Sequence, residues 1–244
     1  MQSYLLAGLA ATVTLIAGFL ALQLRAHKSI LLAFCAGVLI AGALLNVFPD
    51  VLVMLEVETS HWHHHHLFFS CIVGFLCFYF LEYATPHSER HEGPTHYRHR
   101  HQTGIWGSVG VGLHSYFDGF VLGQGFHAGE KTGMVIAMAV LLHRLADGFS
   151  AVGIMVSTNH SISSTRAVLI FIAVAPLFGV MTQEFFVLTK PLLALLLAWF
   201  AGGFLYLGAC SLLPAAHEGH QPQWLPLVTL LGSLFIYGIH LLAD

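Results

Sequence analysis

The sequence predicts an all-α polytopic membrane protein with eight transmembrane helices. Of the 244 residues, 57% are apolar and only 9% are charged, whereas a soluble domain carries about 25% charged residues. The mean hydropathy is correspondingly high, at +0.76. Apolar segments of roughly 20 residues, each long enough to cross a bilayer as a helix, recur along the whole chain. We therefore expect one transmembrane domain over residues 1–244, embedded in a lipid bilayer.

The eight predicted helices are joined by short connections that leave no room for a separate soluble domain. The first segment lacks the basic leading region and the cleavage site of a signal peptide, so we expect it to be retained as a helix. In chain order, the predicted helices cover residues 3–23, 30–50, 67–84, 105–126, 132–157, 167–186, 190–213 and 224–243.

The basic residues predict how these helices are oriented. Arg25 and Lys28 follow the first helix directly, which favours a cytoplasmic first loop. If the loops alternate from there, six basic residues fall on the cytoplasmic side and two, Lys131 and Lys190, fall outside. We therefore expect both termini to be extracytoplasmic, in a plasma membrane or a bacterial inner membrane.

Two distant segments echo each other. Residues 36–49 read A-G-V-L-I-A-G-A-L-L-N-V-F-P and residues 202–214 read G-G-F-L-Y-L-G-A-C-S-L-L-P. They lie on the second and seventh helices, which run in opposite directions in an eight-helix topology. The echo therefore favours an inverted repeat of three helices on either side of a central pair, a frequent transporter design. The alternative is ordinary close packing of membrane helices through small residues.

Two predicted loops are rich in histidine. The outer loop, residues 56–66, contains the run H-W-H-H-H-H, and the cytoplasmic loop, residues 85–103, mixes histidine with arginine. Histidine tracts of this kind bind metal ions weakly and exchangeably. The outer loop is therefore either a metal-capture segment or a passive polar loop. For the cytoplasmic loop, an equally good interpretation is that its arginines help to set the membrane topology and that its histidines have no metal-binding role.

One sequence motif occurs twice inside apolar segments, as H-S-Y-F-D-G-F at 114–120 and H-R-L-A-D-G-F at 143–149. Each copy places a histidine and an aspartate four residues apart, on one face of a helix. Ionisable groups within a membrane need a partner, and a divalent transition-metal ion would satisfy all four at once. The alternative is a pair of His–Asp hydrogen bonds that join two helices. The four candidate ligands are His114, Asp118, His143 and Asp147.

Three further residues belong to the same motifs. Arg144 is a permanent cation three residues before Asp147, so we expect a fixed ion pair with Asp147 or Asp118. In that arrangement the site holds one metal ion, and Arg144 stands in for a second. Gly119 and Gly148 follow the two aspartates, and their bare Cα atoms would admit a neighbouring helix or the path of the ion.

The doubled motif resembles those of the ZIP (Zrt/Irt-like) family of divalent-metal transporters. That family carries H-N-x-x-D/E-G on its fourth helix and an H-E-x-P-H-E-like motif on its fifth, and the four candidate ligands here match the first and fifth positions of each. The resemblance extends to the eight spans, the outward termini, the His-rich loop after the third helix and the echo between the second and seventh helices. It implies a 3+2+3 inverted repeat, a metal site between helices four and five, uptake toward the cytoplasm, and homodimers.

The chain departs from the family pattern at three positions. Ser115 stands where the family usually has Asn, and Arg144 stands where it has an acidic or amide residue. In the family both positions belong to a second, adjacent metal site, so the resemblance implies that this second site is lost here. Ala146 takes the place of the usual Pro on the fifth helix.

We therefore expect a transporter of a divalent transition-metal cation, with zinc as the first candidate, and not an enzyme. Imidazole and carboxylate ligands also suit Fe²⁺, Mn²⁺, Co²⁺ and Cd²⁺. Nucleic acid is not among the expected partners. Other polar residues near the predicted mouths are candidate ligands for uptake and release, or else ordinary polar residues at helix ends. They are Asn46, Asp50, His61, His63, His64, His65, His66, Ser211, His217 and Glu218.

Two other functions remain open from the residues. An intramembrane zinc-dependent hydrolase, such as an alkaline-ceramidase-like amidase, also combines His and Asp on apolar helices. A catalytic zinc keeps one position open for water, whereas four protein ligands could saturate the ion here, and Ser115 offers the one nearby hydroxyl. The other function is that of a metal sensor or a structural zinc protein.

Overall fold

The structure, a computed structural model, describes residues 1–49, 51–52, 64–83, 96–186, 188–219 and 221–243. Within these ranges all regular structure is helical, and eight long helices carry the fold. They are α1 (Gln2–Gln23), α2 (Lys28–Ala41), α3 (His64–Tyr83), α4 (His96–Ala128), α5 (Glu130–Ser157), α6 (Ile162–Thr182), α7 (Lys190–Leu205) and α8 (Leu225–Ala243).

Five helical stretches of the described chain are long and apolar enough to cross a membrane, which makes this an integral membrane protein. The fourth helix is not among them, because it carries a histidine- and arginine-rich first part together with the polar motif at 114–120. The shorter stretch Leu225–Leu241 is also apolar. The five stretches are Gln2–Val47, His65–Tyr83, Ile136–Ser157, Ile162–Thr182 and Lys190–Ala216.

The first apolar stretch consists of two helices that run in opposite directions. A 3₁₀ turn, Leu24–His27, separates α1 from α2. Gln2 donates to Glu130 at the start of α5 (3.1 Å), whereas Lys28 donates to Asn159 just beyond its end (2.9 Å). Further along α2, the Cys35 thiol donates to the carbonyl of Phe149 (3.2 Å). The α1 helix is therefore parallel to α5, and α2 is antiparallel to it.

One predicted boundary is wrong. The cytoplasmic loop was expected to extend to residue 103, but α4 begins at His96 and includes residues 96–103. Arg and Gln are good helix formers, so the helix continues beyond its apolar segment. A helix can extend into water because its backbone hydrogen bonds are made internally.

The helices α4 and α5 occupy the centre of the arrangement. They contact each other, and each packs along one further helix, α6 beside α4 and α1 beside α5. The remaining helices form two more close pairs, α3 with α7 and α8 with α2. The second of these pairs also contacts α5. This arrangement encloses the central pair between α1 and α6 on one side and α2, α7 and α8 on the other.

The closest helix pairs meet at glycines. A Cβ at Gly119 of α4 would overlap the carbonyl oxygen of Pro176, and a Cβ at Gly179 of α6 would overlap that of Tyr116. Helices in a bilayer gain little from hydrophobic burial, so they associate where small residues let their backbones come close. The same arrangement recurs between α2 and α8 and between α3 and α7. The glycines at these two crossings are Gly37, Gly232, Gly74 and Gly202.

We expect Gly119→Ala to destabilise the protein, because the added methyl group must push α4 and α6 apart. Overpacking of this kind costs about 1–3 kcal/mol. Thermal unfolding in detergent micelles would measure the effect. Gly8→Ala is the matched control, since a Cβ at Gly8 of α1 meets no described atom within 4 Å. Equal midpoints of thermal unfolding for the two variants would contradict the close crossing of α4 and α6 at Gly119.

Two helices change pitch near the end that carries a proline. The α2 helix continues as a π-helix over Gly42–Val47, and α7 continues as a π-helix over Tyr206–Leu212, followed by the short turn Leu213–Ala216. Proline clashes with the carbonyl four residues earlier, and for Pro49 and Pro214 that carbonyl lies inside the π segment. The wider π turn gives room for this clash. These are the two segments that echo each other in the sequence.

Candidate metal site

The contact between α4 and α5 brings all four predicted ligands together. The helical spacing of four residues stacks each histidine over its aspartate on one face. Each side chain contributes one donor atom to a group in which all atoms lie within 4.8 Å of one another. Three of the four side chains are buried and the fourth is partly buried. The four residues are His114, Asp118, His143 and Asp147.

Asp118 is the centre of this group. Its Oδ2 atom lies 3.0 Å from Nε2 of His143 and 3.5 Å from Nε2 of His114. The same oxygen forms an ion pair with Arg144. The carboxylate of Asp118 thus contacts the imidazole of its own helix, the imidazole of α5 and the guanidinium of Arg144.

Arg144 is wholly buried, with 0% of its surface exposed. Besides its contact with Asp118, it places Nη1 3.1 Å from Oδ2 of Asp147 and donates to Oγ of Ser115 at 2.7 Å. The sequence predicted a contact with one aspartate or the other, and the guanidinium contacts both. Because Arg stays protonated in proteins, it offsets one of the two carboxylate charges, and the group carries a net charge of −1 when its imidazoles are neutral.

Aromatic rings of α7 cover the His114 side of the group. The His114 ring meets Phe204 edge to face at a centroid distance of 4.9 Å and Phe200 at 6.0 Å. Such contacts restrict the orientation of the imidazole and exclude water from that side. The His114 and His143 ring centroids are 5.8 Å apart.

A cavity of about 70 Å³ opens beside the four residues. It lies between α5 and the π segment of α2, and Phe204 and Ile236 form part of its apolar wall. Two polar residues join the four predicted ligands in its lining, Asn46 of the π segment and Ser150 of α5. Ser150 is not among the residues predicted from the sequence. The signal was present, because Ser150 lies three residues after Asp147 and seven after His143 on the same helix face.

Apart from Asn46, the other predicted site residues that the structure describes do not belong to this group or line its cavity. His65 and His66 are exposed at the start of α3, with ring centroids 4.4 Å apart. His217 and Glu218 are exposed just after α7, where Nδ1 of His217 lies 2.9 Å from the carbonyl oxygen of Leu213. Ser211 is partly buried within the π segment of α7. The residues Asp50, His61 and His63 and the side chain of His64 lie outside the described part of the chain.

The glycines after the two aspartates have the packing role that was expected of them. Gly119 lies against the backbone of α6 at Pro176, and Gly148 lies against the backbone of α1 at Thr14 and Gly18. The Asp-Gly pair therefore has the same function in both motifs. The aspartate faces the other central helix, and the glycine lets an outer helix approach closely.

The structure is thus that of an integral membrane protein whose central helices bring together two imidazoles and two carboxylates, a set of side chains that is compatible with metal binding. Residues 86–243, more than half of the chain, match the family model described as "ZIP Zinc transporter". The chain belongs to the ZIP family. A relative, "Zinc transporter foi" of Drosophila melanogaster, is 26% identical over 134 residues, which are 55% of this chain. The match spans 19% of the length of that relative.

Proposed function

We propose that this protein carries a divalent transition-metal ion, with zinc as the expected cargo, across the membrane toward the cytoplasm. The observation that carries the proposal is the buried group of four donor atoms within 4.8 Å of one another, in a member of a zinc-transporter family. Neutral imidazoles and ionised carboxylates together form a ligand set for Zn²⁺, and they also suit Fe²⁺, Mn²⁺, Co²⁺ and Cd²⁺. The same family membership supports a transporter rather than an enzyme.

In this proposal the ion exchanges its water shell for protein ligands in the middle of the membrane. His61 and the run His63–His66 capture the cation at the outer face, with Asp50 near the outer mouth. The ion then binds His114, Asp118, His143 and Asp147 in place of water. His217 and Glu218, exposed after α7, receive it on the cytoplasmic side. Asn46 and Ser211 flank the path on the two π segments.

The proposed site holds one ion rather than two. The guanidinium of Arg144 contacts both carboxylates and Ser115. It therefore fills the space that a second cation would need and offsets part of the negative charge that would hold it. Ser115 and Arg144 are the two positions at which this chain departs from the family's second metal site. Arg144 in this proposal stands in for the second ion.

The proposed architecture has eight spans in a 3+2+3 inverted repeat, with both termini outside and two copies forming a homodimer. Three features of the helix arrangement support the repeat. The packing of α1 on α5 corresponds to that of α6 on α4, and the packing of α3 on α7 corresponds to that of α8 on α2. The π segments occur at equivalent places, in α2 and α7.

The intramembrane hydrolase has less support. Ser115, the hydroxyl that the sequence placed nearest to the ligands, accepts a hydrogen bond from Arg144 (2.7 Å). The lone pair of Oγ that accepts this hydrogen bond is less available to attack a carbonyl carbon, so Ser115 is poorly placed as a nucleophile. The family relationship also favours transport over lipid hydrolysis.

Ion flux into proteoliposomes, measured across a panel of divalent cations, tests the function directly. We expect His143→Ala to lower flux at least about a hundredfold, because the loss of even a residue that supports a metal ligand costs about 10–100-fold. His27→Ala, an exposed histidine in the turn between α1 and α2, is the control and should transport normally. Wild-type protein that moves no ion but cleaves lipid amides would establish the hydrolase instead. A metal sensor or structural zinc protein would bind the ion and do neither.

A further inference from the structure

The cavity beside the four ligands is lined by oxygen atoms whose hydrogen-bonding capacity is unused. Oδ1 of Asn46, Oδ2 of Asp147 and Oγ of Ser150 are all buried, and none has a hydrogen-bond partner among the described residues. All three residues line the same cavity. Oδ2 of Asp147 is at ion-pair distance from Arg144, 3.1 Å, but without hydrogen-bond geometry.

Buried polar atoms in folded proteins are almost always hydrogen-bonded, because an unpaired one retains the full cost of losing water. Three such atoms around one space therefore indicate a polar occupant. A water molecule needs about 10–15 Å³ on this measure of volume, so a cavity of about 70 Å³ has room for an ion with part of its water shell.

The geometry connects this space to the four-residue group. All four residues of the group line the cavity, and Asp147 and Ser150 are three residues apart on one face of α5. Asn46 faces them from the π segment of α2. Arg144, by contrast, does not line the cavity. The cavity is thus the side of the ligand group from which a cation could approach.

We propose that the cavity contains a second ion position, between Asn46, Asp147 and Ser150, which holds a partly hydrated divalent cation on its way to or from the His–Asp site. A single ion occupies the two positions in turn. This position rests on the proposed transport function and deepens it. Its donors are all oxygen, from an amide, a carboxylate and a hydroxyl, whereas the main site adds two imidazoles. Oxygen ligands suit hard cations such as Mn²⁺ and Mg²⁺ and a cation that keeps part of its water shell. The ion therefore loses its water in two stages.

The test compares flux with equilibrium binding in Ser150→Ala and Asn46→Leu. Both variants remove an oxygen from the cavity and leave the four main ligands in place. We expect maximal Zn²⁺ flux to fall about fivefold, the factor that corresponds to one interaction of hydrogen-bond strength. The Zn²⁺ dissociation constant from equilibrium dialysis should stay close to that of the wild type.

Ser157→Ala is the matched control. Ser157 lies on the same helix and is as buried as Ser150, each 2% exposed, but its hydroxyl donates to the carbonyl of Ile154 (2.7 Å). We expect normal flux from it. Two further variants keep an oxygen in the cavity: Ser150→Thr should retain flux, and Asn46→Asp should retain flux and move the Mn²⁺-to-Zn²⁺ flux ratio toward Mn²⁺.

The outcomes separate this proposal from the transport function itself. If wild-type protein moves no divalent ion, the transport function fails. If it does, and Ser150→Ala and Asn46→Leu carry Zn²⁺ as fast as Ser157→Ala, the cavity holds only water and the second position is overturned. Asn46→Asp that loses as much flux as Asn46→Leu would also overturn it, because the amide would then be needed for packing rather than for its oxygen.

Discussion

Arg144→Glu is expected to bind two divalent ions per chain where the wild-type protein binds one. In the wild type the guanidinium lies between Asp118 and Asp147 and offsets one of their charges. A glutamate there would leave three carboxylates in a buried site without a fixed cation. Uncompensated buried charges are strongly destabilising, so a second metal ion becomes the favourable partner. The change also restores the residue class that the family has at this position.

The number of bound ions can be counted by elemental analysis after equilibrium dialysis against Zn²⁺. Arg166→Glu is the matched control, because it makes the same charge change at an exposed position on α6. We expect one ion per chain for the wild type and for Arg166→Glu. If Arg144→Glu also binds a single ion, Arg144 does not take the place of a second metal.

Asp118→Asn is expected to abolish transport and to destabilise the protein at the same time. Asp118 lies 3.0 Å from His143 and 3.5 Å from His114 and also pairs with Arg144. A neutral amide binds a divalent transition-metal ion more weakly than the carboxylate that it replaces, so flux should fall at least about a hundredfold. The loss of a buried ionic partner typically costs about 3–5 kcal/mol. We expect the lower end of that range because Asp147 still faces Arg144.

The double variant Asp118→Asn/Arg144→Met separates the two effects. Removal of the cation as well as its partner eliminates the uncompensated charge, so the thermal midpoint in detergent should recover most of the loss. Flux should not recover, because the carboxylate ligand is still missing. A single Asp118→Asn variant with a wild-type midpoint would show that the buried ion pair contributes nothing to stability.

The grouping of the four candidate ligands could be predicted from the sequence because its information is local. A spacing of four residues fixes the face of a helix on which His114 and Asp118 lie, and the repeated motif on the next helix supplies the other pair. The composition was equally sufficient for the all-helical membrane class. In both cases the signal lies within single helical segments and does not require contacts between distant parts of the chain to be known.

Other features depend on packing between distant segments and could not be predicted from the sequence. The presence of Ser150 in the cavity lining depends on α2 facing α5 at the cavity. The contact of Arg144 with both aspartates depends on the distance between α4 and α5. The π segments of α2 and α7 lie at prolines, but Pro176 lies inside α6 without one, so a proline alone does not predict a π segment. The extension of α4 back to His96 had no apolar signal at all.

The contact of Arg144 with both aspartates also determines how the proposed transporter responds to membrane voltage. With neutral imidazoles, the site carries a charge of −1 when empty and +1 when a divalent ion is bound. If the site itself moves across the field, a positive elementary charge moves inward with the ion and a negative one moves outward on return. Both halves of the cycle then move charge in the same electrical direction, and together they account for the 2+ charge of the ion. Each crossing is worth about 2.3 kcal/mol per 100 mV. Without the arginine, the loaded site would be neutral and the empty return alone would sense the voltage.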